Sequence, residues 1–156
     1  SDTMESVVLD RLRSRGWTLG LAESVTGGLV SGRLTGVAGA SEVLMGAVVS
    51  YASQVKFGVL GVDEGPVVTE EVAIAMAEGA RKVLGADVGL ALTGVAGPSE
   101  QDGMRLGTLF AAVVLPEGEP DRVRTAHLRL PGDREMMRQL SVISSLDLLR
   151  KCLLES

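Results

Sequence analysis

The run TEEVAIAMAEGARKVLGADVGLAL, residues 69–92, holds a helix and a strand back to back. Thr69 offers the short hydroxyl of an N-cap, and Glu70 and Glu71 put acids in the first turn, where they complement the helix dipole. Val72, Ile74, Ala75, Met76 and Ala80 carry an apolar face on to Leu84, and Gly85 is the stop. The strand that follows, DVGLAL, is apolar almost throughout, as a strand covered on both faces must be. A helix feeding a doubly covered strand is the repeating unit of an α/β sheet.

The same alternation extends outward in both directions. Residues 4–15 read as a short amphipathic helix, with Val7, Val8, Leu9 and Leu12 apolar and Gly16 at its end. Residues 17–22 read as a strand, 27–34 as a helix closed by Gly36 and Gly39, and 43–51 (VLMGAVVSY) as a buried strand. A short helix over 54–60 ends at Gly61. On the far side, TGVAGPSEQDG (93–103) is a loop with a turn at Gly97-Pro98. GTLFAAVVL (107–115) is a strand and PEGEP a turn. A charged strand over 122–130 lies nearer the sheet edge. A long helix over 133–154 has Met136, Met137, Leu140, Ile143, Leu146 and Leu149 as its apolar line. The short turn makes the last two strands an antiparallel pair. The expected fold is α/β: a three-layer α/β/α sandwich with a mixed, mostly parallel sheet, residues 1–156 forming one domain.

Composition narrows the partners. The chain is 46% hydrophobic but only 3% aromatic, so its core is built of Val, Leu, Ala, Ile and Met. Its net charge of −5 and pI of about 4.9 argue against a nucleic-acid binder, which carries a basic face. A single cysteine, Cys152, excludes a disulfide framework and a cysteine-based zinc site. No apolar run has the length of a membrane span and no signal peptide is present, so the cytoplasm is the expected compartment.

Three polar, glycine-bearing stretches fall after apolar strands, the ends at which α/β sheets collect their ligands. In ESVTGG, Ser24 or Thr26 suits the cap of the next helix, and Gly27 and Gly28 permit close backbone approach to a ligand. Free N–H groups there suit a phosphate or an oxyanion. The stretch is neither a P-loop nor a Gly-x-Ser-x-Gly elbow. In SYASQVK, Lys56 lies five residues after Tyr51, the only tyrosine. A lysine desolvated at such a junction can act as a base, whereas most lysines are solvated. The only histidine, His127, sits in a strand far along the chain. In TGVAGP, Thr93 and Gly94 could offer a hydroxyl and a backbone N–H. Glu100 and Asp102 alone make a weak metal site. In GDREMMR, Asp133 reads as an N-cap, and Arg134 and Arg138 share a helix face that suits a phosphate or carboxylate, or equally an ion pair with Glu135.

AESVTGG, GAVVSYASQVKFGVLGV, TEEVAIAMAEGARKVLGADVGLALTGVAGP and GTLFAAVVLP, in that order and spacing, resemble the C-terminal domain of the competence/damage-inducible CinA proteins. That family includes nicotinamide-nucleotide amidases. The resemblance implies hydrolysis of nicotinamide mononucleotide to nicotinate mononucleotide and ammonia, a step of pyridine-nucleotide salvage, with no metal or other cofactor. It implies Ser24 as nucleophile, Lys56 as base, and Tyr51 as proton relay or orienting group. Backbone N–H groups near Thr26, Gly27 and Gly28 would hold the oxyanion. Thr93 and Gly94 would contact the amide or ribose and Arg134 the phosphate, with Arg138 beside it. The altered stretch SEQDGMRLGT adds Arg105 as a further charge facing the substrate. Val25 stands where the family commonly has cysteine. The pyrophosphatase-like domain of longer CinA proteins is absent from these residues, which implies a stand-alone, cytoplasmic form pairing as a homodimer. The alternative is a non-catalytic nucleotide-binding or protein-interaction module linked to competence or DNA damage.

Overall fold

The computed structural model describes residues 3–96 and 103–155. In chain order the elements are α1 (Met4–Arg15), β1 (Leu19–Glu23), α2 (Leu29–Thr35), β2 (Leu44–Val49), α3 (Ser53–Gly58), α4 (Glu70–Leu84), β3 (Val88–Gly94), β4 (Thr108–Val114), β5 (Val123–Arg129) and α5 (Arg134–Glu155). The strands form one sheet in the order β2-β1-β3-β4-β5. β1 pairs in parallel with β2 and β3, and β4 pairs antiparallel with both its neighbours. Four of the five strands therefore run in one direction, and β4 alone runs against them. The result is the expected mixed, mostly parallel sheet.

Local signals set the helix ends. Thr3 caps α1 in a reciprocal box with Ser6, and Gly16 closes it at φ 71°. Thr69 caps α4 through the Val72 N–H, and Gly85 ends it in the left-handed conformation. Alternating strand residues fill two cores. Leu19, Leu21, Val88, Leu90, Leu92, Leu109, Ala111 and Val113 point toward α1, α2 and α5. Ala22, Ala91, Phe110, Ala112 and Val114 point toward α4. The second face carries small residues because α4 lies close. A Cβ on Gly89 would collide with the Ala77 carbonyl of α4, and one on Gly79 with the Leu60 carbonyl.

Two expectations need correction. The run over 43–51 is no buried strand: β2 is one of the two edge strands, with Met45 and Val49 exposed, because its free edge has no neighbour. In α5 the buried line is Met137, Ser141, Val142, Ser145, Leu146, Leu149, Cys152 and Leu153, while Met136 and Ile143 face solvent. Ser141 and Ser145 can be buried because their hydroxyls donate to the Met137 and Val142 carbonyls of their own helix. The turn expected at Gly97-Pro98 and the acids Glu100 and Asp102 lie outside the described residues. Among the described residues, no helix is long and apolar enough to cross a membrane.

Two predictions follow from this packing. Gly89→Ala lowers the unfolding free energy by about 2 kcal/mol, the usual scale of overpacking, read as a reduced urea midpoint. Burial pushes the Cys152 thiol up to about 11. Iodoacetamide at pH 8 therefore leaves Cys152 unmodified in the folded protein and alkylates it once urea unfolds the chain, as mass spectrometry reports.

Candidate active site

β1, β2 and β3 run in parallel, so their carboxyl ends meet on one side of the sheet. The chain leaves β1 for β2 on one flank and returns to β3 on the other, which makes the β1/β3 end a switch point. A cavity of about 150 Å³ lies there. Ser24 and Val25 come from the end of β1, Lys56 from α3, and Thr93 and Gly94 from the end of β3. Tyr51, Val67, Val68 and Arg134 also line it.

The Lys56 side chain is almost wholly buried, at 2% exposure, and Ser24 is 8% exposed. Lys56 Nζ lies 2.9 Å from Ser24 Oγ and donates to the Ser50 carbonyl at 2.6 Å. Ser50 is tied in turn to the end of β1: its N–H and hydroxyl both donate to the Glu23 carbonyl, at 2.7 and 3.1 Å. The amine is therefore positioned by two strand ends. A serine hydroxyl bonded to an enclosed amine is an arrangement able to activate a nucleophile for acyl transfer.

The turn that carries Ser24 is held by Glu23, a fully buried carboxylate. Glu23 Oε1 accepts from the Thr26 hydroxyl at 2.7 Å and the Val30 N–H at 2.9 Å, and Oε2 accepts from the Ser31 N–H at 2.9 Å. Neither Ser24 nor Thr26 caps α2. Its N-cap is Gly28 at φ 105°, without a side-chain bond, and the Glu23 carboxylate takes the free N–H groups. The carboxylate prevails because it can satisfy three donors at once in a dry site. Glu23 and Ser50 were not legible as site residues. The available signal was an acid closing an apolar strand, which is costly unless donors surround it.

The other sequence candidates divide. The Thr93 hydroxyl donates to the Val67 carbonyl at 2.9 Å and lines the cavity beside Gly94. The Tyr51 side chain is exposed; its hydroxyl accepts from Arg134 Nη2 at 2.7 Å, and no hydrogen bond joins it to Ser24. Arg134 sits at the cavity mouth, and Asp133 accepts from the Met136 N–H at the start of α5. Arg138 turns the other way: its Nε donates to the Val25 carbonyl and its Nη2 to the Thr26 carbonyl, both at 3.2 Å. Among the described residues, Thr26, Gly27, Gly28, Arg105 and Arg138 do not line the cavity. Arg105 is exposed. His127 stacks on Phe110 in the β4–β5 pair, with ring centroids 4.1 Å apart. No group of three His, Cys, Asp or Glu side chains able to hold a metal occurs among the described residues.

Glu23→Ala would leave the buried Val30 N–H, the buried Thr26 hydroxyl and the half-buried Ser31 N–H without acceptors, at about 1–3 kcal/mol for each buried group. We expect a loss of about 3 kcal/mol in urea unfolding, with Glu23→Gln losing less because its amide oxygen still accepts.

Comparison with known proteins agrees with this architecture. The CinA C-terminal domain model matches residues 1–153. A CinA-like protein of Frankia casuarinae is 49% identical over 97% of this chain, and one of Synechococcus sp. RCC307 is 45% identical over 96%. The chain spans 35% and 37% of those proteins, about a third of their length. A CinA superfamily protein from Klebsiella pneumoniae superposes with a TM-score of 0.89 at 27% identity, covering 99% of this chain and all of that one. One from Escherichia coli gives 0.85 at 30% identity, covering 97% and 90%. The fold, the motifs at the three parallel strand ends and these relatives together place this chain in the CinA C-terminal domain family.

Proposed function

We propose that the chain is a serine amidohydrolase that converts nicotinamide mononucleotide to nicotinate mononucleotide and ammonia. The observation that carries this reading is the buried 2.9 Å contact between Ser24 Oγ and Lys56 Nζ at the floor of the strand-end cavity. Sites that enclose a whole small ligand run to about 300–1,000 Å³. A cavity of about 150 Å³ takes only the carboxamide-bearing ring, and the ribose phosphate extends out past Arg134. That arginine is the cation at the mouth, suited to a phosphate.

In this reading Lys56 works as the neutral amine. Its Nζ donates to the Ser50 carbonyl and accepts the Ser24 hydroxyl proton as Oγ attacks the amide carbon. The tetrahedral intermediate collapses with cleavage of the C–N bond, and the Lys56 ammonium returns the proton to the departing amine, which leaves as ammonia. Water then attacks the acyl ester, giving a proton to Lys56; the Lys56 ammonium returns that proton to the departing Ser24 Oγ, and the carboxylic acid formed loses its proton to solvent and leaves as nicotinate. Tyr51 takes no proton here; it orients Arg134. No metal or other cofactor enters the scheme.

The test is ammonia release from nicotinamide mononucleotide. Wild type should turn over, and Ser24→Ala and Lys56→Met should each lower kcat by roughly six orders of magnitude, as removing a member of an interdependent nucleophile–base pair does elsewhere. Absence of wild-type turnover would sink the reading, as would full turnover by Ser24→Ala. Pyridine-nucleotide binding without ammonia release would identify a binding module instead.

A further inference from the structure

A second cavity, of about 310 Å³, lies beside the one that holds Ser24. Ala96 and Arg134 line both, so the second begins where the first ends. Met137 is part of the wall between them. It lines the second cavity, and its methyl group lies 3.1 Å from where a Cβ on Gly94, a residue of the first, would stand. Met137 is buried, but an unbranched thioether has three rotatable bonds and adapts to what packs against it.

The two linings differ. Ser24, Lys56 and Thr93 make the first cavity polar. Ala96, Leu106 and Met137 make the second largely apolar. Its charged groups among the described residues are Arg134, at the junction, and Asp133, whose Oδ1 accepts from the Met136 N–H at 2.9 Å. A carboxylate on that wall repels an anion, so a phosphate stays at Arg134 and what lies beyond it is uncharged. Sites that enclose a whole small ligand run to about 300–1,000 Å³, and the second cavity adds the volume that the first lacks.

We infer that the second cavity is a subsite for an uncharged, largely apolar group carried by the same ligand whose amide reaches Ser24. Its continuity with the Ser24 cavity through Ala96 and Arg134 assigns it to that ligand and not to a separate one. This rests on the serine-nucleophile reading above but not on the mononucleotide as substrate. A mononucleotide ends at Arg134 and leaves the subsite unfilled, so a larger amide with an apolar group beyond its anion binds more tightly. Leu106 and Met137 set the size of that group.

The experiment uses alkyl fluorophosphonates with methyl, butyl and octyl arms. In each, Ser24 Oγ bonds to phosphorus, the P–F bond breaks, fluoride leaves, and the serine proton passes to Lys56. Mass spectrometry of the Ser24 peptide reads the rate against probe concentration. Each buried methylene is worth about fourfold in affinity, so burial of three or four of them should make the octyl probe about a hundredfold more efficient than the methyl probe, through tighter binding at a similar maximal rate. Leu106→Glu, at an exposed position, should remove most of that octyl-to-methyl ratio, and Leu106→Met should keep it. The ratio is taken within each protein, so a change in Ser24 reactivity or in stability cancels. With carbon-13 in the methionine methyls, the Met137 resonance, assigned by its loss in Met137→Leu, should shift further in octyl-labelled than in methyl-labelled protein. A ratio near one with Ser24 labelled would overturn the subsite and leave the nucleophile standing. So would a ratio that Leu106→Glu does not lower, or a Met137 resonance indifferent to the arm. No labelling of Ser24 by any probe would overturn both. A rising series in a protein inert toward nicotinamide mononucleotide would uphold the subsite and remove the mononucleotide as substrate.

Discussion

A carboxylate at the end of an apolar strand is costly unless donors surround it, and Glu23 is surrounded. Its two oxygens collect the Thr26 hydroxyl and the first free N–H groups of α2, and its own backbone carbonyl collects both donors of Ser50. One residue thereby ties β1 to the helix that follows it and to the strand beside it. Ser24 is the next residue, so its place is set by bonds that leave its own hydroxyl for Lys56.

This arrangement also explains the glycines after Thr26. A carboxylate reaching back over the start of α2 needs the chain to double over it within a few residues. Gly27 and Gly28 do so at φ 59° and 105°, a region that costs glycine little. Their value here is conformational: they let the backbone fold over Glu23, and Arg138 then packs against the turn they create.

Much of the fold was legible because the chain marks its helix ends locally. Thr69, Gly85 and Gly16 act where their types predict. What composition could not distinguish was a central strand from an edge strand, since β2 is apolar but has a neighbour on one side only. Nor could spacing foretell that Ser141 and Ser145, bonded to their own helix, would take the buried positions that Met136 and Ile143 do not. In the candidate site, Ser24 alone read as a helix cap and Lys56 as a solvated lysine; their fall at neighbouring strand ends and the family resemblance together singled them out. Glu23 and Ser50 were not singled out, because their roles run through backbone groups brought close only by β1–β2 pairing. Arg134 and Arg138 share a helix face, yet one lies at the cavity mouth and the other under the Ser24 turn. Periodicity fixes where a Cα sits, while the reach of an arginine decides what its head group meets.

The Ser24–Lys56 contact and the cavity walls around it have different origins along the chain. Ser24, Ser50, Tyr51 and Lys56 all belong to the first strand–helix–strand unit and the short helix after it, so the Ser24–Lys56 contact closes over only 32 positions. Further walls come from later segments: Val67 and Val68 before α4, Thr93 and Gly94 at the end of β3, and Arg134 on α5. Inheritance can therefore act on the two separately. Substitutions from Val67 onward can reshape the polarity and reach of the cavity while the Ser24–Lys56 contact stays as it is, a division that lets one hydroxyl–amine pair be refitted to different ligands.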